Sequence, residues 1–283
     1  ADALFAWASE LKALVGHVVP ETWIEAPAGH YWTPETGLKR FYEPRWLADS
    51  SFKPWEANAE PSQDEVVAGL DAAVRKRMMA DVEYGFFLSG GVDSCIVSSL
   101  LVPHWRRQMG DDRPIPAFTV GMENSPDMMA ARAMADALGG PRRVDHRERV
   151  FTADEALGLI EKIVFHMETY EAELIRSAIP NWLLAERAAA DVKMVLTGEG
   201  ADELFAGYLY FADAPDADAV QGELRRIYSK LGQINLLRTD RMTMAHGLEA
   251  RVPFLDTFFS ATAMAVDPQK KTVDRAAVTA NTE

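Results

Sequence analysis

Cysteine is nearly absent from this sequence. Its single copy, Cys95, excludes an intramolecular disulfide and any metal site built from thiolates. Basic residues are also scarce: 29 Lys and Arg stand against 43 Asp and Glu, a formal net charge of −14. That balance argues against nonspecific binding to nucleic acid, whose phosphates need a basic surface. It leaves room for a phosphorylated ligand, because one local loop can bind phosphate inside an acidic protein. No apolar run approaches the roughly 20 residues that span a bilayer, so no transmembrane segment is expected. The lone thiol fits a reducing compartment, and a cytoplasmic location is expected. The chain opens on Ala1 rather than Met and reads as processed or partial, so an organellar location stays open if a targeting segment has been removed.

What is present suffices for a sizeable core. The chain has 283 residues, 48% of them hydrophobic, which suits one large domain or one domain with an appendage. Residues 1–50 read as a small antiparallel β region. Ala3-Leu4-Phe5-Ala6-Trp7 is an apolar run at its start. Gly29–Trp32 and Arg40–Tyr42 read as strands, punctuated by Pro20, Pro27, Pro34 and Pro44. Residues 51–64, with Pro54 and Pro61, read as a linker. Residues 65–283 read as one larger domain.

In that domain the period changes. Val66, Val67, Leu70, Val74 and Met78 recur at helical spacing. A continuous apolar strand, Tyr84–Leu88, leads into a helix from Asp93, and Ile115–Val120 is a second strand. Ser125-Pro126-Asp127 combines a capping hydroxyl, a first-turn proline and an acid at the positive dipole end. Its helix stops at Gly139-Gly140. Thr152 with Glu155 predicts a capping box for one helix running to Met167. Another helix covers about Leu174 to Ala190, and Lys193–Leu196 is a further buried strand. Strands alternating with helices predict an α/β fold: a mainly parallel sheet with helices on both faces, plus the short N-terminal antiparallel segment. Ligands of such sheets bind at the carboxyl ends of the strands.

Two glycine-rich segments sit at such ends. Ser89-Gly90-Gly91-Val92-Asp93-Ser94 follows the first strand and opens a helix. Gly90 and Gly91 let backbone approach a phosphate. The helix N-terminus offers unpaired N–H groups, and Ser89 and Ser94 add hydroxyls. Asp93 beside a polyphosphate makes sense only with a cation such as Mg²⁺ between them. The Gly-Lys-Ser/Thr ending of a Walker loop is missing. The second segment is Thr197-Gly198-Glu199-Gly200-Ala201-Asp202-Glu203, three acids and two glycines after Leu196. A third block, Arg238–Arg241 and Met244–Asp256, mixes charges with apolar residues without a simple period. There Glu249 and Arg251 read equally well as a structural pair or as ligand groups, and His246 reads as structural. Cys95 reads as a packed helix residue rather than a nucleophile.

The Ser89–Ser94 pattern resembles the pyrophosphate loop of the ATP pyrophosphatases, the adenine nucleotide α-hydrolase-like fold. More closely, Phe-Leu-Ser-Gly-Gly-Val-Asp-Ser (87–94), Phe-Thr-Val-Gly (118–121), Ser-Pro-Asp (125–127), Glu-Thr-Tyr (168–170), Gly-Glu-Gly-Ala-Asp-Glu (198–203), Gly-Tyr-Leu-Tyr-Phe (207–211) and Gly-Leu-Glu-Ala-Arg-Val-Pro-Phe-Leu-Asp (247–256) resemble the glutamine-hydrolysing asparagine synthetases, in that family's order. β-Lactam synthetases share the architecture, but Glu-Thr-Tyr and Gly-Tyr-Leu-Tyr-Phe favour the asparagine branch. Residues 8–14 and 27–31 resemble the last strands of the family's glutaminase domain, whose nucleophile is an N-terminal cysteine; here residue 1 is Ala.

The resemblance implies ATP and Mg²⁺ as cofactors, and aspartate and ammonia as substrates, or glutamine through a glutaminase domain. It implies adenylation of aspartate to β-aspartyl-AMP, then displacement of AMP by ammonia. By the same resemblance Leu88 and Val120 meet adenine through backbone, and Thr197 and Gly198 line the nucleotide. Asp93 and Asp202 hold Mg²⁺, Glu199 serves intermediate formation, and Arg251 and Asp256 shape the amino-acid pocket. Thr197 stands where the family has Ser, and Asp240-Arg241 where it has Asn-Lys. Thr272–Glu283 matches none of the family's C-terminal, lysine-bearing segment. Two readings therefore stand: a ligase making asparagine, or a catalytically degenerate subunit with a structural role in a larger complex. A homodimer is equally open.

Overall fold

The computed structural model describes residues 6–19, 23–57, 59–110 and 112–273. Most of the Ala3–Trp7 run and of the Thr272–Glu283 segment lies outside these. An antiparallel hairpin comes first, β1 (His30–Thr33) against β2 (Gly37–Arg40). The second strand ends at Arg40 instead of beginning there; Phe41 and Tyr42 continue past it and donate their N–H groups to the Gly29 carbonyl.

The apolar runs become the middle of a five-stranded parallel sheet. β3 (Tyr84–Phe87) lies between β4 (Ile115–Gly121) and β6 (Met194–Leu196). β5 (Val144–Val150) flanks β4, and β7 (Glu249–Arg251) flanks β6, giving the order β5-β4-β3-β6-β7. Alternation along a strand sends its side chains to opposite faces. Met194 and Leu196 join one core cluster with Tyr84 and Phe86, while Val195 joins another with Phe118 and Leu248.

Helices cover both faces. α1 (Gln63–Arg77) starts at a complete capping box between Ser62 and Glu65. α2 (Val92–Met109) follows β3, and α3 (Pro126–Ala137) starts at Ser125, whose hydroxyl accepts the Met128 N–H. The helix expected from Thr152 to Met167 is interrupted at Leu159, after Gly158, into α4 (Ala153–Gly158) and α5 (Ile160–Met167). Only half of its capping box forms. Thr152 accepts the Glu155 N–H at 3.2 Å, but the Glu155 carboxylate turns to Arg149. α6 (Ala172–Ala189) precedes β6, and α7 (Asp202–Phe205), α8 (Ala217–Lys230), α9 (Asn235–Met244) and α10 (Thr257–Met264) come after it. α6 packs on the Phe118–Val195 cluster, and α1, α2, α8 and α10 pack around Phe86.

The segment 51–64 contains a helical turn, Pro54–Ala57, and its start is held to the larger domain. Arg225 of α8 donates to the carbonyls of Trp46, Ser50 and Phe52, and Trp46 itself is buried in the main core. Among the described residues no helix is long and apolar enough to cross a membrane.

One core position is electrostatically adverse. Lys271 is buried beside the Phe205 ring, 5.9 Å from its centroid, and its ammonium nitrogen has no hydrogen-bond partner among the described residues. Burial pulls its pKa down from 10.5 to about 7, against the pull of Asp267. The unfolded chain keeps that proton through the same window, so the penalty is complete below pH 7 and is relieved as pH rises towards 10.5. Lys271→Met is expected to add about 1–4 kcal/mol of stability at pH 7, with the gain shrinking towards pH 10. Calorimetric melting at both pH values checks this, and an unchanged Tm at pH 7 would refute it.

Candidate active site

At the carboxyl ends of β3, β4 and β6 lies a cavity of about 250 Å³. Ser89, Asp93, Ser94, Gly198, Glu199 and Asp202 line its polar part, and Phe87, Leu88, Val120 and Leu184 its apolar part, with Thr119, Asn181, Thr197 and Gly200 completing the wall. The two glycine-rich segments thus form two sides of one crevice.

Steric room explains how they meet. A Cβ on Gly198 would fall 2.9 Å from the carbonyl carbon and Cβ of Asp93 and 3.0 Å from the Ser94 nitrogen. Only a glycine lets the turn after β6 rest on the first turn of α2. Gly90 has φ +80°, and a Cβ there would meet Ala130 and the Ala131 nitrogen of α3 at 2.6 Å. The loop is therefore seated against α3 as well.

The loop's hydroxyls brace the loop itself. Ser94 Oγ donates to the Gly91 carbonyl at 3.0 Å and accepts the Ser89 N–H at 3.2 Å. Ser89 Oγ lies 3.0 Å from Ser94 Oγ and accepts the Gly91 N–H at 3.2 Å. The start of α2 has no side-chain cap, since its N-cap is Gly91. Its first-turn N–H groups and positive dipole end are available to an anion in the crevice.

Facing that positive end is a concentration of carboxylates. Burial and the neighbouring Asp202, Glu203 and Glu199 push Asp93 up to about 6. Burial and Glu203 raise Asp202. Glu199 is also raised by burial, against the pull of Arg238 and Thr239 of α9. Arg238 Nη2 stands 3.2 and 3.1 Å from the two Glu199 oxygens, and Thr239 Oγ1 donates to Oε2 at 2.8 Å. Behind them Glu203 is buried and accepts hydrogen bonds from Tyr208 at 2.5 Å and Asn235 at 2.6 Å. Among the described residues no three carboxylate, imidazole or thiol groups form a complete metal site. Two carboxylates suffice for Mg²⁺ when phosphate oxygens and water supply its other ligands, and the carboxylate repulsion that, with burial, raises Asp93 and Asp202 is what a dication would relieve. These residues fit such an ion.

Most of the sequence-derived residues converge here: Leu88, Ser89, Asp93, Ser94, Val120, Thr197, Gly198, Glu199 and Asp202 line the cavity, and Gly90 and Gly91 form its loop. Arg251 and Asp256 do not line it, contrary to the expectation of an amino-acid pocket around them. Arg251 donates to Glu249 at 2.7 Å and to the carbonyls of Arg77 and Met79. Asp256 caps α10 and pairs with Lys76 at 2.9 Å and Arg77 at 2.5 Å, tying α10 to α1. His246 packs on the Trp182 ring, with centroids 4.2 Å apart. Thr119, Asn181, Leu184, Arg238 and Thr239 were given no site role from sequence, although Thr119 lies in the Phe-Thr-Val-Gly motif and Arg238 and Thr239 in the third block. Asn181, a polar residue among the apolar positions of α6, had a local signal of its own.

A family profile described as asparagine synthase matches residues 65–221 and 212–277. The chain belongs to the asparagine synthase family. It is 41% identical to a probable glutamine-hydrolysing asparagine synthetase of Schizosaccharomyces pombe, over 94% of this chain and 48% of that protein. It is 38% identical to the glutamine-hydrolysing asparagine synthetase of Triphysaria versicolor, over 94% of this chain and 44% of that one. With asparagine synthetase 1 of Saccharomyces cerevisiae the identity is 35%, over 94% and 50%. The chain spans about half the length of these curated relatives.

The acid cluster has a measurable cost. Asp93 is raised, so its penalty applies above about pH 6 and fades as pH falls towards the ordinary 3.8. In metal-free, nucleotide-free protein Asp93→Asn is expected to add about 1–3 kcal/mol at pH 8 and almost nothing at pH 4; equal melting temperatures at pH 8 would contradict the cluster's repulsion. Asp256 behaves oppositely. Despite burial, Lys76 and Arg77 hold it down to about 2, so its contribution is complete above pH 3.8 and lost as pH falls towards 2. Asp256→Asn is expected to cost about 2–3 kcal/mol at neutral pH in denaturant titrations.

Proposed function

We propose that this chain amidates aspartate to asparagine at the expense of ATP, releasing AMP and pyrophosphate through a β-aspartyl-AMP intermediate. The observation that carries this reading is the contact of Gly198 with Asp93, which unites a phosphate cradle with three carboxylates in one crevice. An acid cluster facing a helix N-terminus suits a polyphosphate with its cation, and family membership supports the acceptor.

In this reading the polyphosphate lies on the loop Ser89–Ser94 and the first turn of α2. Asp93 and Asp202 hold Mg²⁺, which neutralises phosphate charge. The adenine occupies the apolar end by Leu88 and Val120, with Thr197 and Gly198 along the nucleotide. The aspartate β-carboxylate forms a bond to the α-phosphorus while the bond from that phosphorus to the bridging oxygen breaks, and pyrophosphate leaves. Ammonia then attacks the acyl carbon, AMP departs and a proton is lost. The chain's contribution is positioning and charge complementarity, the terms that dominate phosphoryl and acyl transfer. Glu199, held by Arg238 and Thr239, serves intermediate formation. Arg251 and Asp256 act through the frame rather than the pocket. Glutamine as the ammonia source requires a glutaminase domain. A cytoplasmic setting, with Cys95 free, belongs to the same proposal.

The test is incubation with ATP, MgCl₂, aspartate and ammonium, measuring pyrophosphate and asparagine together. Aspartate-dependent pyrophosphate is expected from the wild type, and its absence from folded protein would sink the reading. ATP binding without turnover would favour the degenerate subunit instead. Glu199→Gln is expected to lower kcat by about 10²-fold or more while MgATP affinity stays within about threefold. If both fall together, Glu199 serves binding and not the chemical step.

A further inference from the structure

The ends of α1 and α2 enclose a second cavity, of about 390 Å³, lined by Arg75, Met78 and Met79 from the first and by His104, Arg107 and Gln108 from the second. α2 starts at the phosphate loop and runs 18 residues, so the cavity sits about 27 Å along it, at the end remote from the crevice. A hydrogen-bonded staple builds one wall. Asp71 of α1 stands 2.6 Å from His104 Nε2, and Arg107 Nη1 donates to His104 Nδ1 at 2.9 Å. A guanidinium has only hydrogens to give, so Nδ1 is the bare ring nitrogen and Nε2 carries the hydrogen donated to Asp71. Arg107 is thereby held in place by an uncharged acceptor and keeps its full positive charge.

Neither Arg75 nor Arg107 pairs with a carboxylate among the described residues, although acids outnumber bases by 43 to 29. Elsewhere the arginines find acids: Arg132 takes Glu148, Arg147 takes Asp145 and Asp191, and Arg226 takes Glu223. The negative ends of two helices favour cations in their last turns. That accounts for arginines at these positions, but not for two of them left unpaired around one hollow. Gln108 accepts the Tyr84 hydroxyl at 3.3 Å, which leaves its amide hydrogens as donors. Met78 is buried in the main core, while Met79 beside it is 81% exposed, a large apolar side chain left in water. The lining thus offers two positive charges, amide donors and thioethers, and no carboxylate.

We propose that this cavity is a second binding site, for a small organic anion: a carboxylate or phosphate head on Arg75 and Arg107, and an apolar body on Met78 and Met79. Guanidinium groups match both heads in shape and charge. Thioethers are adaptable and suit an apolar body of variable outline. A hollow of this size takes a small molecule, held by a few polar groups on an apolar lining. The site is independent of the nucleotide reading, because none of its residues borders the crevice.

Calorimetric titration with hexanoate and with hexyl phosphate tests this, with 1-hexanol and inorganic phosphate as the half-ligands. At least one of the two amphipathic anions is expected to bind with a Kd of about 1 mM or below. It should bind at least about fivefold more tightly than either half-ligand, and the tighter head identifies the source of the anion. Arg75→Gln and Arg107→Gln are each expected to weaken binding about tenfold, and Arg107→Lys, which keeps the charge, to recover part of the loss. Arg75 has no partner among the described residues, so its variant decides even if replacing Arg107 disturbs the fold. No saturable binding of either anion would overturn the proposal, leaving the arginines to serve the helix ends alone. Binding that survives both glutamine substitutions would also overturn it, since the anion would then sit elsewhere, in the crevice for instance. A half-ligand that binds as tightly as the whole would do the same, because charge and apolar surface would not be acting together.

Discussion

The site depends on one close approach of backbone to backbone, the turn at Gly198 resting on Asp93 and Ser94. Each glycine-rich segment alone is only a turn at a strand end. Pressed together, they place an uncapped helix N-terminus opposite Glu199 and Asp202. The contact has no room for a methyl group, since interiors packed at crystal-like density give only by moving whole elements. It also explains the sheet order. β3 and β6 are direct neighbours, 110 residues apart from Phe86 to the partnered Leu196 in sequence, and their adjacency brings the two ends to one crevice.

That juxtaposition stores unfavourable energy. Asp93, Asp202 and Glu199 are all raised, burial being the first cause in each case. A fold selected for stability alone would separate or pair them. Of the three, among the described residues, only Glu199 has a cationic partner, and Arg238 offers it a broad contact rather than a tight one, at 3.1 and 3.2 Å. Asp93 and Asp202 are left at a positive helix end with no cationic side chain paired to them among the described residues. Active sites commonly sacrifice stability in this manner, because the same charge arrangement that destabilises the empty protein favours a cation-bound polyphosphate.

How much of this was legible in sequence follows from what each element depends on. The phosphate loop and the Gly198–Glu203 segment were readable because their glycines, hydroxyls and acids are local requirements of a turn at a strand end. β3, β4 and β6 were readable as continuous apolar runs. β5 was not, because its Val-Asp-His-Arg-Glu-Arg-Val sequence is dominated by charge. Edge position explains this: Arg147 pairs with Asp145 and Asp191, and Glu148 with Arg132, so the charges are solvated or paired beside a strand that hydrogen-bonds only to β4. β7 has three residues, too few for a period. Arg238 and Thr239 were visible as an unusual charged block, but their partner Glu199 is 39 and 40 residues away, a pairing that only the fold creates.

α9 shows how such long-range pairings combine. Asn235 reaches Glu203 and Tyr208 behind the acid cluster, and Arg238 with Thr239 holds Glu199. One turn further on, Arg241 stands 2.9 Å from Glu10 and 3.5 Å from Glu168. Glu168, at positive φ where α5 ends, accepts the N–H groups of Leu11 and Lys12 at 2.9 and 2.6 Å. The N-terminal segment is thus anchored on the same ten-residue helix that orients the site glutamates. A helix of this length moves as a body, since bending it would break its own hydrogen bonds. A displacement of α9 large enough to release Arg241 from Glu168 therefore carries Arg238 relative to Glu199. The glutamate of the Glu-Thr-Tyr motif, legible in sequence only as a family resemblance, has its physical meaning in this seat: Glu168 holds the N-terminal segment against the helix on which the geometry of the crevice depends.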